Sequence, residues 1–151
     1  MTLDKKAFFA RTMHSPDSPE RAALRLALRE LSRALLPLHR HLIEHAKAEY
    51  ASAVGPVAPP AEMIQMLTDD PFFAWLKPVT ALIVHIDEMV RTDFEPEAAY
   101  AVGDRVQDLF TRGDPAALFT QRYVPALQSD VELAIAHADL RKAIEPLRRL
   151  P

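Results

Sequence analysis

The sequence predicts an all-α protein: an up-and-down, four-helix-bundle-like fold with a long kinked first helix and a short extra helix after a proline-rich linker. Three observations predict it. Leu24, Leu28, Leu31, Leu35, Leu38 and Leu42 recur at alternating steps of four and three, which keeps six leucines on one helix face. Thirteen prolines stand against three glycines, and four of the prolines sit where a helix would open. No stretch sustains strand-like alternation, and so few glycines argue against the tight hairpins of an all-β fold.

The elements follow in order. Residues 1–17 read as an N-terminal arm, with Phe8 and Phe9 as the side chains that would pin it to the bundle. Residues 18–151 read as a single helical domain. Ser18 caps and Pro19 opens a helix running to residue 54, kinked at Pro37. Two further steps along its leucine stripe give His45 and Glu49. Residues 55–60, Gly-Pro-Val-Ala-Pro-Pro, form a stiff linker. A short helix over 61–68 follows, centred on Met63, Ile64, Met66 and Leu67.

Asp70-Pro71 opens the second main helix, which carries Phe72, Trp75, Leu76, Val79, Leu82, Ile86 and Val90 and kinks at Pro78. Glu95-Pro96 opens the third, with Ala99, Val102, Val106 and Phe110, closed by Gly113. Asp114-Pro115 opens the fourth, with Leu118, Phe119 and Tyr123, and Pro125 breaks it. Ser129-Asp130-Val131-Glu132 has the form of a capping box that restarts a helix bearing Leu133, His137, Leu140, Ile144 and Leu147. Arg141, Lys142, Arg148 and Arg149 gather at its C-terminal end, where cations suit the helix dipole.

Composition excludes several classes. A net charge of −3 opposes nucleic-acid binding, which calls for a basic face. The absence of cysteine removes disulfides, thiolate metal sites and a cysteine nucleophile, and it fits a cytoplasmic protein. The first ten residues hold only a brief apolar run, short of the roughly seven to fifteen residues of a secretory core. No run approaches the ~18 residues needed to span a bilayer, so no membrane association is expected.

Three constellations hold chemistry-bearing residues. In the first, His45 and Glu49 share a helix face at i, i+4, at the end of the leucine stripe. With Asp87 and His137 as facing groups they make a candidate metal set for iron, manganese or zinc. Bundles of hemerythrin-like or ferritin-like character use such inward histidines and carboxylates. No Glu-x-x-His is present, and the bland reading is a buried histidine bonded to a carboxylate. On that reading His45→Leu strands Glu49 and costs about 1–3 kcal/mol.

The second is an arginine row, Arg21, Arg25, Arg29 and Arg33, continued by Arg40. It drifts around the face opposite the leucines and offers a surface for an acidic partner; the alternative is a solvated helix face. The third is Asp70-Pro-Phe-Phe-Ala-Trp-Leu-Lys-Pro78, whose aromatics read as core before they read as a ligand pocket. No phosphate loop, nucleophile elbow or His-Glu-x-x-His is present.

Two segments, Leu36-Pro-Leu-His-Arg-His-Leu-Ile43 and Asp70-Pro-Phe-Phe-Ala-Trp-Leu-Lys-Pro-Val-Thr-Ala-Leu-Ile-Val-His-Ile-Asp-Glu88, resemble those of a group of small bacterial helical proteins of unknown function. The likeness extends to Phe119-Thr-Gln-Arg-Tyr-Val-Pro125 and Ala136-His-Ala-Asp-Leu-Arg141. The resemblance implies a helical fold in a small cytoplasmic bacterial protein and implies no activity. With no catalytic motif and a long helix carrying charged outer rows, the functional expectation is a non-catalytic bundle, without cofactor, acting through a protein partner or through self-association. The metal-binding bundle is the alternative.

Overall fold

The structure, a computed structural model, describes residues 17–149. These residues form six α-helices and two short 3-10 helices, with no strand among them. The expected arm, with Phe8 and Phe9, lies outside the described residues except for Asp17.

Helix α1 (Pro19–Ala53) is the central element, against which most of the others pack. Ser18 Oγ accepts the Arg21 N–H at 3.1 Å, satisfying one of the donors a helix start leaves open. All six leucines of the stripe are buried. Each contributes about 1.5–3 kcal/mol by leaving water. The helix continues through Pro37. It ends where Val54 and Gly55 both donate to the Tyr50 carbonyl and Gly55 adopts a φ of 151°, a region that favours glycine.

Helices α3 (Lys77–Met89) and α6 (Val131–Ile144) flank α1, both antiparallel to it. Arg25 meets Val90 at one end of the α1–α3 seam, and His39 meets Thr80 further along. Along the other seam His41 faces Glu132. Helix α4 (Pro96–Phe110) and helix α5 (Leu118–Ser129) complete the bundle. An aromatic cluster joins them: Phe119 stacks on Tyr123 at 5.1 Å, and Phe110 meets both rings edge-on. Phe73 and Trp75 are core residues, whereas Phe72, the phenylalanine on the expected helical line, is only half-buried.

Helix α2 (Pro60–Asp69) is the short helix after the linker, opening on Pro60. A 3-10 helix over Pro71–Leu76 follows it and a second, Glu145–Leu147, ends the fold. Arg149 then bonds Glu97 and Asp104, tying the end of the described chain to α4. Those two carboxylates raise the Arg149 pKa further above its ordinary value.

Four boundaries differ from the sequence reading. Asp70 does cap Phe72, but Pro71 opens a 3-10 helix, and Pro78 lies in the first turn of α3 instead of kinking a continuous helix. Asp114-Pro115 makes a turn in which Ala117 donates to the Asp114 carbonyl; α5 opens only at Leu118. Pro125 does not break α5, which runs to Ser129. The break falls at Asp130, whose carboxylate caps the Leu133 N–H, while Ser129 donates to the Ala126 carbonyl. The extended backbone at Asp130 ends one helix and caps the next, and that decides the boundary.

Candidate binding groove

The apolar residues of α3 cover more than one face. Val79, Leu82, Ile86 and Met89 face the core. Ala81 and Val84 stay on the outer side together with Thr80, His85 and Glu88. Helix α2 has a similar surplus: Met63 is buried, while Ile64 is not. The linker and the 3-10 helix set α2 beside α3, and His39 and Ile43 of α1 border the space between them. The result is a groove of about 640 Å³ open to solvent.

Ile64 and Val84 stand on its lips, 77% and 52% exposed. Polar groups are few. His39 Nε2 lies 3.1 Å from Thr80 Oγ1, and burial pushes the His39 pKa below its ordinary value, favouring a neutral ring. Thr68 Oγ1 is occupied by the Ile64 carbonyl within α2. Lys77 lies at the start of α3 and Glu88 three turns later, roughly 16 Å along the helix. Among the described residues neither side chain makes an ion pair.

The candidate metal residues do not converge. His45 and Glu49 do meet, Nε2 to Oε1 at 3.1 Å, but on the flank of α1, 21% and 41% exposed. The buried stripe passes instead from Leu42 to Ala46, with Tyr50 packed beside the core. Asp87 faces outward and pairs with Arg91 on its own helix. His137 sits on α6, where its Nδ1 lies 2.6 Å from the hydroxyl of buried Tyr123. Burial first, and Arg141 second, lower the His137 pKa. Among the described residues no group of three or more histidines and carboxylates is placed to hold a metal ion.

The arginine row is split by its surroundings. Arg25 leaves it altogether: its guanidinium bonds both Asp17 oxygens at 2.7 and 3.0 Å, donates to the Val90 and Thr92 carbonyls, and lies over the Phe94 ring. It thereby closes the C-terminal end of α3. Arg33 pairs with Glu30 at 2.8 Å, Arg29 is exposed, and Arg21 is half-buried near Asp17.

Sequence reasoning did not single out the groove. A signal was present in the runs Ala81-Leu82-Ile83-Val84 and Met63-Ile64-Gln65-Met66-Leu67, which hold more apolar residues than one helix face can bury. No helix among the described residues is long and apolar enough to cross a membrane. The chain matches no protein-family model, no curated protein and no solved structure. Fold and site thus define a class, an all-helical bundle with an open apolar groove.

Proposed function

We propose that this protein is a non-catalytic binding bundle that acts by association, with a protein partner or with a second copy of itself, at the groove between α1, α2 and α3. The observation that carries this reading is the pair of aliphatic lips, Ile64 and Val84, left exposed beside an apolar trough. Apolar groups gathered around a concavity gain free energy when a partner removes them from water. The cysteine-free sequence supports a cytoplasmic setting.

Ile64→Asp with Val84→Asp tests it, because both positions are solvent-facing, and circular dichroism checks that the variant keeps the fold. Sedimentation velocity over a wide concentration range, and crosslinking in the native lysate, are compared for parent and variant. A self-association or crosslinked partner lost only in the variant supports the reading. A parent that stays monomeric and crosslinks nothing counts against it.

A metal-binding bundle retains one supporting observation, the His45–Glu49 pair. Elemental analysis of untagged protein tests it. Less than about a tenth of a metal equivalent per chain, unchanged by added iron, manganese or zinc, would end that reading.

A further inference from the structure

We propose that the occupant of this groove is a single amphipathic helix of about three turns, carrying an acidic side chain at the end that lies over Lys77 and a basic one at the end that lies over Glu88. The inference rests on the association reading above and adds the chemistry of the partner.

Shape favours a helix. The groove follows α3 from Lys77 to Glu88, the length of three helical turns, roughly 16 Å. A helix laid along the trough covers both lips, inserting side chains at i, i+3 or i+4, and i+7. The floor makes few polar demands, since His39 and Thr80 already face each other and Thr68 is bonded within α2.

Charge supplies the polarity. Two nearby pairs of charges are satisfied within their own helices: Arg91 with Asp87, and Lys47 with Glu44. Lys77 and Glu88 stand at opposite ends of the groove with no such partner among the described residues. One cation and one anion, separated by an apolar trough, complement a helix with charges of opposite sign at its two ends. A helix with the same charge at both ends is attracted at one end and repelled at the other.

The test uses the full chain and three labelled 14-residue peptides with identical Leu and Phe positions on one face. One has Glu at its first turn and Lys at its last; the second has Glu at both ends; the third has Lys at both. Fluorescence anisotropy at low salt reads affinity. The mixed peptide is expected to bind about fivefold or more tightly than either same-sign peptide, with the gap narrowing as salt is added. Lys77→Glu should move the preference to the Lys/Lys peptide, and Glu88→Lys to the Glu/Glu peptide. Both positions are exposed, so these variants keep the fold, which circular dichroism checks.

Equal binding of the three peptides, abolished by Val84→Asp, overturns the charge assignment and leaves the groove reading standing. Peptide binding that Val84→Asp does not weaken overturns both. A concentration-dependent dimer that excludes every peptide shows that a second copy is the occupant. Binding of dodecanoate with no binding of any peptide shows a small amphiphile instead. Peptide binding gained only after Phe8→Ala with Phe9→Ala assigns the groove to the chain's own N-terminal segment. Each of these three results overturns the helical partner.

Discussion

A β-carbon at Gly103 would stand 2.6 Å from the carbonyl oxygen of Leu147. The clash is with backbone, which cannot swing aside as a side-chain tip can. Gly103 therefore lets the C-terminal 3-10 helix lie directly against α4, and Arg149 secures that approach from beyond it. Gly103→Ala gains about 1 kcal/mol of helix propensity. It loses more to overpacking, about 1–3 kcal/mol before any backbone movement. The expected result is a lower urea midpoint with an unchanged slope. A midpoint equal to or above the parent's would mean that the 3-10 helix moves away at no cost.

Arg25 is the second position where one side chain holds distant segments together. Its guanidinium meets a carboxylate eight residues before it and carbonyls more than sixty residues after it. Arg25→Ala is expected to cost about 1.5–3 kcal/mol, the range for hydrogen bonds to a charged group. Arg25→Lys should recover less than half, because an ammonium cannot bond Asp17 and the α3 carbonyls in one planar fork. Thermal or urea unfolding of the three proteins decides it; a lysine variant as stable as the parent would sink the geometric account. The same contact lowers the Asp17 pKa. Its stabilisation is present above the ordinary carboxylate value and is lost as pH falls through the lowered one.

These two residues show what was legible in the sequence. The leucine stripe was, because its period is a local property of one helix. The end of the stripe was not: a step of three after Leu42 gives His45, a step of four gives Ala46, and alanine is a weak apolar signal beside a histidine. The fold chose Ala46. The carbonyl partners of Arg25 and the groove itself depend on how α2 and α3 are set against α1. Helix periodicity does not carry that tertiary arrangement, so a row of arginines read alike although one of them is structural.

His39 and His137 give the protein a pH dependence of defined sign. Burial lowers both pKa values, so the fold holds each ring neutral while the unfolded chain takes up its proton first. Stability is then full above the ordinary histidine value of about 6.5 and falls as pH drops below it, toward the lowered values. Unfolding free energies at pH 7.5, 6.5 and 5.5 should decline in that order. The double change His39→Gln with His137→Gln should flatten the decline. An equally steep decline in that variant would place the titration elsewhere. Tyr123→Phe removes the hydroxyl that faces His137 Nδ1 and should cost about 1 kcal/mol at pH 7.5.

The His45–Glu49 pair separates a surface contact from a buried one. Were Glu49 buried, His45→Leu would strand its carboxylate at a cost of about 1–3 kcal/mol. In the structure Glu49 is 41% exposed and stays hydrated without its partner. A partly exposed histidine–carboxylate contact contributes about 0–1 kcal/mol. The expected loss for His45→Leu therefore falls below about 1 kcal/mol. The double change His45→Leu with Glu49→Leu should give no recovery beyond it, since there is no stranded charge to remove. A double-mutant cycle in urea reads the coupling directly. A coupling of 2 kcal/mol or more, set against the ~0–1 kcal/mol of a partly exposed contact, would show that the pair is buried in solution and that α1 seats its last turns more deeply than the structure describes.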